Sequence, residues 1–434
     1  MRRNDSWLSR DRMSSRGSYY RPSSSGRLKT VGYFLVAVII LAVVLSVVQL
    51  LRKPPKPALA ISMASSSVIP GTPPSLPWPS QGAADIGVLG IGSLGNHGQN
   101  GPIGLASVAK IISALVIIHD HPLAIGQNGP TITVGSSDVA TYQSMLAAQD
   151  SVMQVVAGEQ LTEVQALEAL LIPSADNVAT MMANWDAGSV PAFVAKMNAM
   201  ARSLGMTGTH YTDPSGLDNN TVGTAPDQLV AAAALLANPV LAQIVAMPQA
   251  TLPIAGVVYN VNALVGHDGI TGVKTGSTPA GGNFVFSGSV SLPPSSSLPA
   301  SVTSNPTIVG VILGQQGYTP LPSALSAGQA LLDAFRSVPK LVPVLTAGEI
   351  VGTITAPGQA AVTAVASKAV SMDAWAGLRV TYHIITSHSL PTSFAAGYRV
   401  GTLVVAIGSE RVSVPITASA AVVAPSISWK LRRL

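Results

Sequence analysis

No cysteine occurs among the 434 residues. That removes disulfide frameworks, zinc–thiolate sites, iron–sulfur clusters and cysteine nucleophiles together. Charged residues are scarce, at 10%, which excludes a highly charged, disordered chain. Glutamate is missing between Glu168 and Glu349. The length accommodates two domains after an export segment, with a core large enough to stand without disulfides.

The formal net charge of +5 invites a nucleic-acid partner until the charges are located. Residues 1–30 hold eight Lys/Arg against Asp5 and Asp11. Arg52, Lys53 and Lys56 follow, and Lys430, Arg432 and Arg433 close the chain. Residues 57–429 carry ten basic and seventeen acidic residues, so the body is acidic. A phosphate-binding face would have to lie on that body, so no nucleic acid is expected as partner.

Val31 to Leu50 is a run of twenty residues without a charge, long enough as a helix to span a bilayer. The basic flank precedes it, which predicts a cytoplasmic N-terminus and an extracytoplasmic body. A cleaved signal peptide is the rival reading, with Ala58-Leu59-Ala60 as the cleavage pattern. The length of the run, and the Arg52, Lys53 and three prolines that intervene, favour an uncleaved, single-pass anchor in the cell membrane. From Pro54 to Pro79 eight prolines and Ser65-Ser66-Ser67 predict an extended spacer. A second polar tract, Pro293 to Pro306, reads as a long hairpin loop between two strands.

In the body, Ile86–Ile91 reads as a strand and Ser107–Ile118 as a helix apolar on all sides, hence buried. Helical patterns recur at Leu161–Trp185, Val190–Leu204 and Gln228–Ala237. Strands return at Gly272–Lys274, Phe284–Phe286 and Ile308–Leu313, and Ser323–Phe335 closes as a helix. Strands, then helices, then strands predict an α+β layered fold. After Pro339, Val351–Ile354, Val380–Ile385 and Thr402–Ile407 predict a small all-β domain. The expected domains are a basic cytoplasmic tail (1–30), a transmembrane anchor (31–51), a Pro/Ser-rich linker (52–77), a main domain (78–337) and a β-rich domain (341–434).

Several patterns that could carry chemistry read better as structure. Gly90-Ile91-Gly92-Ser93-Leu94-Gly95 matches G-x-G-x-x-G, but a turn follows it where a nucleotide site needs a helix, so it reads as a hairpin turn. His119-Asp120-His121 reads as the polar end of an apolar helix. No metal and no cofactor is expected. Ser-x-x-Lys occurs at Ser107–Lys110 and at Ser337–Lys340. Pro339 spoils the second. In the first, both residues share one helix face. A lysine in apolar surroundings has a lowered pKa, and when neutral it can take a serine's proton. Lys274-Thr275-Gly276 lies on an expected strand. There the Lys and Thr can hold a substrate carboxylate, and the glycine lets a ligand approach the backbone. Pro173-Ser174-Ala175-Asp176-Asn177 read alone is a helix start.

The order S-x-x-K, an S-x-N-like element, then K-T-G groups these motifs with the penicillin-interacting serine enzymes. With Tyr211-Thr212-Asp213-Pro214-Ser215-Gly216-Leu217 and Gly269–Thr278, the chain resembles the D-alanyl-D-alanine carboxypeptidase family, the low-molecular-mass penicillin-binding proteins. The anchor, the proline spacer and Trp78-Pro79 resemble actinobacterial-type members. The resemblance covers residues 78–337. It implies a β-lactamase/transpeptidase-like sandwich of a central antiparallel sheet with helices. It also implies Ser107 as acylated nucleophile, Lys110 as general base and Ser174 as proton relay. Lys274 and Thr275 would bind the terminal carboxylate, followed by Gly276. The N–H groups of Ser107 and Ser277 would form an oxyanion hole. The substrate would be a peptidoglycan stem peptide losing its terminal D-alanine, with β-lactams as covalent inhibitors.

One position departs from the family pattern, which has Asn where Asp176 stands. An amide donates to a substrate carbonyl, while a carboxylate only accepts. Asn177 is no substitute, because one residue turns a helix by about 100°. An ionised Asp176 would favour the Lys110 cation and oppose its role as base. Three consequences are open: a weakened enzyme, a different substrate orientation, or an Asp176 that works neutral. A non-catalytic wall-binding homologue is the alternative function. A class A β-lactamase needs a deacylating glutamate, which residues 169–348 do not contain.

Overall fold

The charge-free run has a direct counterpart, a single helix over Ser24–Leu51. The computed structural model describes residues 24–278, 281–292, 304–387 and 389–433. The tail expected over 1–30 therefore lies mostly outside the described residues, as does the tip of the loop expected over 293–306. The helix is about 40 Å long, and its Tyr33, Phe34, Ile39 and Leu45 side chains are all exposed. It is long and apolar enough to cross a bilayer.

The main domain is built on an antiparallel sheet. Ile270–Thr278 forms one edge, followed by Gly281–Ser289, Thr307–Gln315, Ala83–Val88 and Gly92–Ser93, with His97–Gly98 also on Ala83–Val88. Alternation sends Val285, Val311 and Ala83 into one core and Phe284, Phe286, Ile312 and Ile86 into another. Helix Pro320–Phe335 contacts the sheet over Gly281–Ser289 and Thr307–Gln315. Lys110–Asp120 and Ala225–Ala237 share the first core. Covering on both faces explains why these strands are nearly continuous in apolar residues.

The fold is thus the expected sandwich of helices and antiparallel sheet, with an all-strand region after it. Two expectations need correction. Leu161–Trp185 is not one helix. Helices Glu163–Leu171 and Asp176–Ala187 are separated at Pro173-Ser174-Ala175, where Ser174 has φ +65°. Pro173 has no N–H to continue the helix, and the positive φ of Ser174 breaks the turn. The second correction concerns residues 52–77, which are only partly a spacer. Ala58–Ile61 pairs with Ile350–Thr355, and Ser66–Val68 pairs with Arg379–Thr386. They cap both edges of a seven-stranded sheet otherwise formed by residues after Pro339. Open edges carry unpaired N–H and C=O groups, and no proline lies inside either short strand.

The two regions share apolar packing. Phe335 meets Trp375 edge-on, with centroids 5.7 Å apart. Ile69 and Leu76, from the expected linker, are buried in the same cluster. The glycine-rich pattern is a hairpin turn as expected, with Gly90 at φ +81° between Ala83–Val88 and Gly92–Ser93. Helices Ser136–Ala147 and Pro239–Val245 were not legible in the apolar pattern. The first buries no residue at all, so it leaves no periodic signature.

Candidate active site

Ser107 sits in a tight 3-10 turn, Ala106–Ala109, that runs into helix Lys110–Asp120. Ala106, just before it, is held at φ +48°. Lys110 is wholly buried. Its ammonium reaches Ser107 Oγ at 2.8 Å, Asp176 Oδ1 at 2.5 Å and the Ser215 carbonyl at 3.1 Å. These use all three of its protons. Burial holds Lys110 below the usual amine range, against the pull of Asp176 and, less strongly, of Asp213 and Asp150. Burial likewise raises Asp176, against the pull of Lys110. Burial thus works against the charge on each group, while their contact works for the ion pair.

Asp176 opens its helix and is itself buried. Its Oδ2 accepts from the Ser151 N–H at 3.1 Å, and its own N–H donates to the Ser151 carbonyl at 2.7 Å. Asn177 faces elsewhere. Its amide exchanges hydrogen bonds with the Met153 N–H and carbonyl, at 2.9 and 3.0 Å. Ser174 Oγ is buried without a hydrogen-bond partner.

Lys274, Thr275 and Gly276 lie on Ile270–Thr278, the edge strand. Lys274 is buried and donates to the Thr275 carbonyl at 3.1 Å. Burial, then the charge of Lys110, hold it well below the usual amine range. Gly276 permits close packing. A Cβ there would stand 2.7 Å from the Leu105 carbonyl and 3.2 Å from Ser107 N. The strand end carrying Ser277, which is exposed, therefore runs beside the serine turn. A cavity of about 380 Å³ lies beyond that strand end, lined among others by Gly104, Asn219, Thr278 and Asn283; Ser107, Lys110 and Lys274 do not line it.

Sequence reasoning missed the groups that hold this turn. Asp213 Oδ2 accepts from Ser215 N, Ser215 Oγ, Gly216 N and Leu217 N, and its Oδ1 from Thr221 Oγ1. That network turns the Ser215 carbonyl onto Lys110. Gly216, at φ +88°, abuts the Ala106 carbonyl so closely that a Cβ would stand at 1.8 Å. Asn283 Nδ2 holds the Gly104 and Leu105 carbonyls, each at 2.9 Å. The Asp-Pro-Ser-Gly turn signal was visible in the sequence, but nothing in it pointed to Lys110.

The discounted patterns are accounted for elsewhere. Ser337 Oγ donates to the Ala334 carbonyl, while Lys340 begins a strand. Asp120 pairs with Lys196 at 2.7 Å, and His121 lies 4.1 Å from the Trp185 ring and bonds to Asp186. Among the described residues no cluster of three metal-ligating side chains occurs.

Residues 94–292 match the family model for D-alanyl-D-alanine carboxypeptidases. The chain is 37% identical over 182 residues to the D-alanyl-D-alanine carboxypeptidase DacB2 of Mycobacterium tuberculosis, covering 40% of this chain and 58% of that protein. It is 28% identical over 186 residues to a D-alanyl-D-alanine endopeptidase of Pseudomonas aeruginosa, covering 41% and 57%. The chain thus spans less than two thirds of these curated relatives. In fold it is similar to the peptidoglycan synthesis regulatory factor PBP3 of Streptococcus pneumoniae, with a TM-score of 0.56 at 22% identity, covering 78% of this chain and 98% of that one. The likeness to the D-alanyl-D-alanine carboxypeptidase family thus rests on residues 94–292, less than half of the chain.

Proposed function

We propose that the chain is a membrane-anchored, serine-type D-alanyl-D-alanine carboxypeptidase that removes the terminal D-alanine of peptidoglycan stem peptides through an acyl-enzyme on Ser107. The observation that carries this is the buried Lys110 ammonium, 2.8 Å from Ser107 Oγ. Such a lysine, once neutral, is placed to take the serine proton.

Ser107 Oγ attacks the carbonyl between the two terminal D-alanines while Lys110 accepts its proton. The oxyanion forms beside Ser107 N and Ser277 N, two backbone donors of a kind that contributes several kcal/mol to transition states. Packing of Gly276 against Ser107 N supports this pairing. Ser174, whose hydroxyl has no partner, gives its proton to the departing amine and takes back the one that Lys110 accepted. D-Alanine leaves, and water then attacks the acyl-serine and restores the hydroxyl. Lys274 and Thr275 bind the substrate carboxylate, and the edge strand Ile270–Thr278 offers backbone groups to an extended peptide. β-Lactams acylate the same serine.

Residues 31–51 of helix Ser24–Leu51 are the anchor, with residues 1–30 cytoplasmic and the body outside. The eight basic residues before the span support that orientation. A second reading, a homologue with weakened or lost turnover, is favoured by the 2.5 Å contact of Asp176 with Lys110. A fluorescent penicillin and a synthetic pentapeptide ending in two D-alanines separate the two. Persistent label on Ser107 with loss of one alanine supports the enzyme. Absence of label at every pH leaves the wall-binding homologue.

A further inference from the structure

Six basic residues flank the outer end of the membrane-length helix. Arg52, Lys53 and Lys56 follow it, and Lys430, Arg432 and Arg433 sit on or just after a short C-terminal helix, Ile427–Arg432. The two helices lie against each other. The Arg433 guanidinium donates to the carbonyls of Arg52 and Lys53, at 3.1 and 3.3 Å. Trp429 rests the short helix on the turn between strands Ile350–Thr355 and Val362–Ala366. Its ring lies against Gly358, where a Cβ would stand 3.1 Å from it, and Arg433 sits 5.6 Å from the ring centroid. Between Leu51 and Ala58, where the sheet begins, only residues 52–57 intervene. Fully extended they reach about 20 Å. The sheet is therefore held close to the end of the span.

None of the six cations forms an ion pair among the described residues. The sequence has no Asp or Glu between Asp11 and Asp85, and none after Glu410. Uncompensated like charges held together repel one another, and nothing in the catalytic reading uses them. The same helix exposes Ile427 and Leu431, at 68% and 42%. Cations beside exposed aliphatic side chains are the composition of a surface that lies at a lipid–water boundary.

We propose that Ile427–Arg432 and the end of the membrane-length helix form a basic collar that binds the headgroups of anionic phospholipids. Lipid phosphates neutralise the six cations, and Ile427 and Leu431 enter the boundary. The collar fixes the orientation of the body over the membrane instead of leaving it on a free tether. The inference rests on Ser24–Leu51 spanning the bilayer.

The missing cysteines make the test clean. The full chain carries a single nitroxide at Ser428→Cys or, separately, at Ser46→Cys within the span, in vesicles of phosphatidylcholine alone or mixed with phosphatidylglycerol. Accessibility to oxygen and to a water-soluble nickel complex reports depth. We expect the label at 46 to be lipid-buried in both, and the label at 428 to reach headgroup depth only with phosphatidylglycerol. Salt should reverse that shift. Lys430→Gln with Arg432→Gln, which spares Arg433 and Trp429, should weaken it by on the order of fivefold per cation. A label at 428 that stays in water while 46 is buried would overturn the collar and leave the span standing. A label at 46 in water would overturn both. Equal immobilisation of the 428 label by soluble polyphosphate in detergent would overturn the lipid in favour of an anionic polymer.

Discussion

Lys110 Nζ and Asp176 Oδ1 lie 2.5 Å apart, both buried, with Ser107 Oγ 2.8 Å from the same ammonium. If Lys110 is the base, as proposed, the Asp176 carboxylate is in direct contact with it. Its influence on Lys110 is electrostatic and direct.

Asp176→Asn should move the pH dependence of penicillin acylation. Asp176 pulls the Lys110 pKa upward against burial. Removing that charge lowers the pKa further, so the rising limb of the profile should shift toward acid by about one unit. Acylation rates measured across pH in both proteins decide this. Superimposable profiles would show that the carboxylate does not act on the base.

Gly276→Ala should abolish most acylation while the domain remains folded. The new methyl meets the Leu105 carbonyl at 2.7 Å, a backbone atom that cannot swing away. Strand and serine turn must part, and displacements near 1 Å at a reacting centre cost about 10²-fold. Second-order acylation constants with unchanged circular dichroism are the check. Near-native rates would show that the contact does not set the geometry.

Asp213→Ala should both destabilise and slow the enzyme. Five donors lose their acceptor, and a loss of about 2–4 kcal/mol is expected for a half-buried, charged hub. The Ser215 carbonyl would no longer be held on Lys110. Denaturant unfolding gives the stability, and the acylation pH profile reads the lysine. A stability loss with an unchanged profile would make Asp213 purely structural.

Glu163→Gln should stabilise the protein above neutral pH and do little in acid. Glu163 is buried with neither carboxyl oxygen bonded, and burial raises its pKa to about 7. A raised acid pKa means the folded state holds the proton more tightly than the unfolded one. Its contribution is complete below the ordinary pKa of 4.5. It is lost as pH rises to about 7, and stays lost above. Thermal scans at pH 4 and pH 8 should differ by a few degrees in the effect of the variant, on the order of 1 kcal/mol or more at the higher pH. An equal effect at both values would contradict this.

The sequence by itself determined the apolar span, the acidic body, the α+β order, and Ser107, Lys110, Lys274 and Thr275 as candidates. Those features are written in local pattern: a charge-free run, alternating strands, residues three apart on one helix turn. It also made Asn177 a poor stand-in for Asp176, because helical periodicity alone separates them, and Asn177 is indeed spent on Met153. Only the tertiary structure decided how close Asp176 comes to Lys110, since 66 residues separate them. It alone brought the Ser215 carbonyl to the lysine, 105 residues away. It turned part of a proline-rich spacer into edge strands, because the partners of Ala58–Ile61 and Ser66–Val68 lie about three hundred residues later. Local propensity records what a segment prefers alone. Which polar group meets which across the core depends on the packing of the whole chain.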